Sequence, residues 1–281
     1  MATRAPAPAT ETYHAIRARG RLPFVETIDA PLYSSPEIYD VAFGWNLDRE
    51  LDFYESCFRL HARGPVRRVL EPCCGTGRLL EALARRGYAT VGYDLSGEMA
   101  AYADARLRPL GGEAHVGDMA TFREGGPVDA ALNPVNSIGY LLDDASFARH
   151  LDAAGAMIRP GGVYIVQISY GGEPPELSRF GPWGNRGRGL STTLLWAVER
   201  EDAPAKRSYQ RCVVTARRGA WKRRIEEEHV LRYWTQEDFD RLVEASPFRL
   251  AALYWDRFEP FPVEWKRFGE HGNLYHVLER A

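Results

Sequence analysis

The sequence predicts an α/β domain built on a mainly parallel sheet with helices on both faces. Three observations predict it. Short apolar runs alternate with helical runs from Val66 to Ser169, as strands and crossover helices do. The stretch "VRRVLEPCCGTGRLLEALARRGYATVGYD" joins a strand to a helix through a glycine turn. After Ser169 the alternation gives way to β-branched and aromatic segments separated by turns, which predicts an antiparallel insertion.

Taken in order, "MATRAPAPAT" is Ala/Pro-rich, and residues 1–30 read as a partly disordered tail. Residues 31–62 read as a helical cap, because Tyr39, Phe43, Trp45, Leu47, Leu51, Phe53, Tyr54 and Phe58 recur at mostly helical spacing. Residues 63–170 form the core: strand Val66–Glu71, helix Arg78–Arg86, strand Ala89–Asp94, helix Gly97–Arg108, then strands near Ala114–Gly117 and Val128–Asn133. A helix Asp143–Ile158 and, after the stop signal "RPGG", a strand Val163–Ser169 complete it.

"GGEPPELSRFGPWGNRGRG" reads as a loop from its Gly and Pro content. Segments Leu190–Val198, Tyr209–Ala216 and Lys222–Trp234 follow as a meander, so residues 171–234 form an antiparallel insertion or lid. Residues 235–281 return to the core with a helix N-capped by Thr235 and two closing strands.

The bulk properties exclude several functions. The chain has 281 residues and a formal net charge of -2, which gives no global field for nucleic acid or a membrane surface. No stretch approaches the roughly 20 apolar residues of a membrane span, and the start has no apolar signal-peptide core. The four cysteines have no metal-ligand spacing, so no metal is expected and a reducing cytoplasm fits.

The glycine turn decides the chemistry. "GTGR" lacks the G-x-G-x-x-G fingerprint, since residue 80 is Leu, and no phosphate-binding loop with Gly-Lys-Ser/Thr is present. Glu71 stands at the turn, where a carboxylate opposes a docked pyrophosphate but suits a zwitterionic amino acid. Asp94 and Asp118 end the next two strands, and the carboxyl ends of parallel strands line one crevice. An amino acid, a ribose and an adenine amine in that order describe S-adenosylmethionine.

On these pieces, "VLEPCCGTGR", "VGYDLSGEMAAYA", "GDMATF", "VDAALNPVNSIGYLLDD" and "IRPGGVYIVQIS", the sequence resembles the class I S-adenosylmethionine-dependent methyltransferases, small-molecule type. The resemblance implies a Rossmann-like seven-stranded sheet with its last strand antiparallel. It places Glu71 and the turn residues Gly75, Thr76, Gly77 and Arg78 at the methionyl part, Asp94 at the ribose, Met99 or Leu95 against the adenine, and Asp118 with Met119 at the adenine amine. Asn133 through Ser137 would lie under the methyl. Cys73 stands where the family has glycine.

The remaining candidates each carry a plainer reading. Tyr39 is expected as a core aromatic or as the wall facing the sulfonium. His229 is expected as the proton acceptor if its strand face looks into the crevice, with Tyr140 and Tyr233 as weaker candidates. Asn136, Trp183 and Trp234 are assigned to the substrate, Asn136 from the "NPVN" element. The acceptor is expected to be a small molecule, aromatic or amine-bearing, methylated on N or O with S-adenosylhomocysteine as product. A homodimer is compatible with the sequence. The alternatives are a catalytically silent cofactor-binding partner, a nucleic-acid or protein methyltransferase, and a dehydrogenase.

Overall fold

The computed structural model describes residues 26–28, 32–169, 179–255, 258–261 and 273–281. Most of the expected N-terminal tail lies outside these residues, but Glu26–Ile28 forms strand β1, which pairs parallel with a strand of the insertion. Among the described residues no helix is long and apolar enough to cross a membrane.

The chain then forms α1 (Pro36–Ala42), α2 (Asp48–His61), β2 (Arg68–Pro72), α3 (Arg78–Arg85), β3 (Ala89–Asp94), α4 (Gly97–Leu107), β4 (Glu113–Val116) and β5 (Val128–Asn133). It continues with α5 (Asp144–Met157), β6 (Ile158–Ser169), β7 (Arg179–Gly187), β8 (Leu190–Asp202), β9 (Arg207–Arg218) and β10 (Trp221–Arg232). The last elements are α6 (Gln236–Glu244), β11 (Phe248–Trp255), β12 (Pro260–Phe261) and β13 (Asn273–Arg280).

The main sheet runs β12-β11-β13-β6-β5-β2-β3-β4. Strands β2 to β6 are parallel and β13 inserts antiparallel beside β6. The expected seven strands are present, and the two-residue β12 makes an eighth at the β11 edge. Chain direction out of β2 reverses between its neighbours β3 and β5, so a crevice opens above the carboxyl ends of β2 and β5.

Both faces of this sheet are covered because its strands are apolar on both sides. On one face Leu70, Val91, Tyr164 and Val166 pack with Phe147 and Leu151 of α5 and Phe239 of α6. On the other, Val69, Leu132 and Ile165 meet Leu51, Tyr54 and Phe58 of α2, whose apolar residues recur at helical spacing. Each such fully buried side chain contributes roughly 1.5–3 kcal/mol.

The second sheet runs β1-β10-β9-β8-β7. It contains the expected meander, but the loop expectation fails at Arg179–Gly187, which is β7, paired antiparallel with β8. Ladder pairing overrides the Gly and Pro content there, with a register shift between Phe180 and Trp183 absorbing the mismatch. Trp183 Nε1 and Asn185 Nδ2 both donate to the Ala42 carbonyl, tying β7 to α1. Helix α1 thus lies between the two sheets, packing Ile38, Val41 and Phe43 with Leu194, Val214 and Ile225.

Candidate active site

The site begins at the turn after β2. Cys73, Gly75 and Gly77 all have left-handed backbone, with φ of 58°, 54° and 71°. Glycine adopts this freely, and here a side chain would also collide: a Cβ on Gly77 would sit 3.0 Å from Ala103 Cβ. Cys73 holds a left-handed conformation open to glycine without cost, at a strain of about 1 kcal/mol. Its thiol lies 3.4 Å from Met119 Sδ, so the side chain is accommodated beside the loop after β4.

Glu71 is only 5% exposed, and its Oε2 has no hydrogen-bond partner. Burial pushes its carboxyl well above the usual range, opposed by the Arg78 guanidinium. It lines a narrow cavity of about 60 Å³ with Tyr39, Trp45, Glu50 and Arg78. A buried, unpartnered carboxyl opening on a cavity calls for a cationic donor, and the ammonium of a zwitterion is such a donor. Glu50, raised by burial in the same way, is a second acid on this wall. Sequence reasoning missed it, because it sits in the first turn of α2, remote from every motif.

Asp94 ends β3 with its Oδ2 accepting from the Gly75 amide at 2.8 Å and its Oδ1 from Ser96 N at 2.9 Å. Burial raises its pKa while those two amides lower it. Ser96 caps α4 by accepting from Met99 N. Leu95 is 72% exposed whereas Met99 is wholly buried, so of the two only Leu95 offers surface to a ligand. Asp118 is exposed and accepts from Ala120 N at 2.8 Å, while Met119 is buried with its carbonyl held by His150.

Asn133 is a correction. It is fully buried, donating to Pro72 O and accepting from Ile138 N at 3.1 Å, so both ends of its amide hold the loop together and neither faces a ligand. The residues beyond it do face outward. Asn136, with φ of 54°, accepts from Ser169 N and lines a second, wider cavity of about 550 Å³.

This wider cavity adjoins the narrow one, since Tyr39, Phe43, Trp45, Val135 and Ser137 border both. Its far walls carry amides, Asn136, Gln167, Asn185 and Gln210, and the indoles of Trp183 and Trp196. Tyr33 and Tyr140 complete it, their hydroxyls 2.8 Å apart. Tyr39 stacks on Phe43 with centroids 4.3 Å apart, and its ring would touch a Cβ placed on Gly75.

His229 lies behind that wall, 7% exposed, with Nδ1 2.9 Å from the Tyr140 hydroxyl and Trp196 stacked on its ring. Two other candidates fall outside. The Tyr233 hydroxyl donates to Ala203 O in the β8–β9 turn, away from both cavities. Trp234 is wholly buried against Phe147 and Phe239 with the Arg232 guanidinium over its ring, so it belongs to the core. The strand alternation that would have aimed Tyr233 inward ends at Arg232, where β10 stops. Tyr33, Trp196, Gln167, Asn185 and Gln210 join the cavity through tertiary packing, which leaves no local signal beyond aromatic richness.

Residues 69–162, β2 through the start of β6, match the family described as a methyltransferase domain. Over 140 residues, 47% of this chain, it is 31% identical to a dTDP-3-amino-3,4,6-trideoxy-α-D-glucopyranose N,N-dimethyltransferase of Streptomyces venezuelae, and the match spans 55% of that relative's length. Over 213 residues, 75% of this chain and 82% of the relative, it is 27% identical to a dTDP-3-amino-3,6-dideoxy-α-D-glucopyranose N,N-dimethyltransferase of Streptomyces fradiae. A solved S-adenosylmethionine-dependent methyltransferase from Clostridium acetobutylicum shares the fold, with a TM-score of 0.69 at 19% identity over 89% of this chain and 99% of that one. Residues 69–162 thus carry a methyltransferase domain, and the chain around them shares the fold of a solved S-adenosylmethionine-dependent methyltransferase. S-adenosylmethionine, the methyl donor named for solved structures that share this fold, carries no phosphate.

Proposed function

We propose that this protein transfers a methyl group from S-adenosylmethionine to the amino nitrogen of a small sugar-like acceptor. The observation that carries the reading is the pair of adjoining cavities: a narrow one walled by unpartnered Glu71, and a wide one walled by amides and indoles. Amide side chains pair with ring hydroxyls and indole faces cover the apolar side of a sugar ring. The two relatives named for amino-sugar N,N-dimethylation support nitrogen over oxygen.

In this reading Glu71 holds the ammonium of the cofactor, Asp94 the ribose, Leu95 and Asp118 the adenine, with Cys73, Thr76 and Arg78 closing the methionyl end. When bound, the sulfonium supplies an electrophilic methyl. Tyr39, stacked on Phe43, presents an aromatic face to that cation. The chain's main task is to hold the acceptor in line, with the nucleophile about 3 Å from the methyl carbon. Asn136 and Trp183 are assigned to that holding, and His229 with Tyr140 to the acceptor's proton.

Two measurements test this. Calorimetric titration with S-adenosylmethionine, S-adenosylhomocysteine and NAD is expected to show binding of the first two only. Incubation with S-adenosylmethionine and dTDP-3-amino-3,6-dideoxy-α-D-glucopyranose, followed by mass spectrometry, is expected to show one and then two added methyl groups. Tight cofactor binding with no methylated amine would overturn the acceptor assignment and favour a cofactor-binding partner protein. Failure of both sulfur ligands to bind would overturn the reading entirely.

A further inference from the structure

We infer that Glu227, His229 and Tyr140 form a proton relay that draws the acceptor's proton out of the wide cavity into the β-sheet behind it, with Tyr33 as a positioning residue. The inference deepens the amine-methylation reading and rests on it. Its basis is a continuous chain of polar atoms. Glu227 Oε1 stands 2.8 Å from His229 Nε2, within ion-pair distance though not aligned as a hydrogen bond. His229 Nδ1 meets the Tyr140 hydroxyl at 2.9 Å, and that hydroxyl meets Tyr33 at 2.8 Å. Only the tyrosine end borders the cavity; the histidine is sealed behind it under the Trp196 ring.

The geometry fixes the direction of transfer. A carboxylate facing Nε2 favours the ring that carries its proton there, which leaves the Nδ1 lone pair to accept from Tyr140. Tyr140 then donates to His229 with its one proton and has two lone pairs left, one for the Tyr33 hydroxyl and one for the cavity. An acceptor ammonium held there donates to Tyr140 Oη. As its N–H bond breaks and an O–H bond forms, the original Tyr140 O–H bond breaks and an Nδ1–H bond forms. The amine is left neutral with its lone pair free, Tyr140 is again a phenol, and the imidazolium faces Glu227. After transfer the imidazolium returns the proton through the same hydroxyl to solvent.

The surroundings suit this. Among the described residues the other titratable groups around the relay are Cys212, opposite Glu227 on β9, Tyr33 and Tyr39 on the cavity side, and Cys73 beyond Tyr140. These groups and Tyr140 hold their protons: burial pushes the Cys212 thiol up to about 12 and raises the Cys73 thiol and the three phenols. Tyr140 therefore passes a proton without resting as a phenolate. The second oxygen of Glu227 accepts from the Leu32 amide at 2.8 Å, which sets Tyr33, the next residue, on the cavity wall. The arrangement explains why a histidine, and a glutamate two residues before it, occupy the buried face of a strand that is otherwise apolar there at Ile225 and Leu231.

The full-length protein provides two independent readouts. Nitrogen-15 NMR of the histidine rings, without any acceptor, is expected to show neutral His229 protonated on Nε2, with the Nδ1 resonance altered in Tyr140→Phe. A ring protonated on Nδ1 overturns the relay whatever the enzyme methylates. With the amino-sugar nucleotide above, kcat/KM against pH is expected to show an acidic limb. His229→Gln and Tyr140→Phe should each lower turnover near pH 7 by about 100-fold, recover as the acceptor amine loses its own proton at higher pH, and leave S-adenosylhomocysteine affinity unchanged. Glu227→Gln, which removes the carboxylate facing Nε2, should weaken the preference for the Nε2-protonated ring in the same nitrogen-15 spectrum. Tyr140→Phe, which removes a hydroxyl at the cavity surface, serves where His229→Gln fails to fold; an unchanged rate and profile in it overturns the relay even if methylation is confirmed. If the wild-type protein methylates no amine, the function reading fails while the tautomer still decides the relay.

Discussion

Glu71 concentrates the chemistry of the site into one side chain. A carboxyl whose folded pKa is raised favours the native state below its ordinary value and loses that advantage as pH rises toward the raised one. In the ligand-free protein Glu71 is therefore protonated above the usual carboxylate range, and in the proposed reading an arriving ammonium reverses the balance by favouring the anion. Binding of S-adenosylhomocysteine near pH 6 is expected to release a proton, seen as a heat that changes between buffers of different ionisation enthalpy. Glu71→Gln should abolish the release, weaken binding by roughly 10- to 100-fold through loss of a charged hydrogen bond, and leave the free protein no less stable. Equal heats in both buffers would remove Glu71 as the ammonium partner. This residue was legible in sequence because an acid before a glycine turn is a local pattern, and so were Asp94 and Asp118. The role of Asn133 was not, since the same amide can face a ligand or brace a loop and only packing decides.

At the scale of elements, α1 is what turns a glycine turn into a closed pocket. Arg106 of α4 pairs with Asp40 of α1 at 2.6 Å and donates to the Thr76 carbonyl, while the Thr76 hydroxyl donates to the other Asp40 oxygen. Both ion-pair partners are about nine-tenths buried, so removing Arg106 leaves Asp40 with the Thr76 hydroxyl and only the longer 3.8 Å approach of Arg188. Arg106→Met is expected to lower unfolding free energy by about 3 kcal/mol and to weaken cofactor binding, whereas Arg106→Met with Asp40→Asn should recover part of both. Denaturant titration of the four proteins of this cycle measures the coupling; additive losses would mean that the clamp is incidental. The sequence showed α1 only as aromatics at helical spacing. It could not show that Asp40 and Arg106 meet, because they are far apart in the chain and each reads alone as a solvated charge. The same limit applies to β7, where pairing with β8 prevails over a composition that reads as loop.

For the whole molecule, the alternating pattern made the parallel core legible, and the ordered motifs placed its acids on one edge. How the second sheet leans over that edge depends on contacts such as Trp183 and Asn185 on Ala42, which no periodicity encodes. Burial on both faces of the main sheet has a further consequence for pH. His150 lies between α5 and β6 with Nδ1 at the Met119 carbonyl and Nε2 at the Tyr164 hydroxyl, and burial lowers its pKa to about 4. His276 on β13 is likewise lowered to about 3. Both rings are neutral in the native state and gain protons on unfolding, so the stability they confer is present above about pH 6.5 and is lost as pH falls toward these lowered values. Each contributes a slope of up to about 1.4 kcal/mol per pH unit in that window. Urea unfolding measured between pH 7 and 5 is expected to show a midpoint that declines with acid, and His150→Gln, which removes one titrating ring, should flatten the dependence by about that amount. The variant starts lower at pH 7 because a side-chain amide replaces the two ring hydrogen bonds imperfectly, so the two curves converge as the pH drops. Parallel curves would mean that His150 titrates alike in the folded and unfolded chains, and that water reaches the seam between α5 and β6 on which the Met119 loop depends.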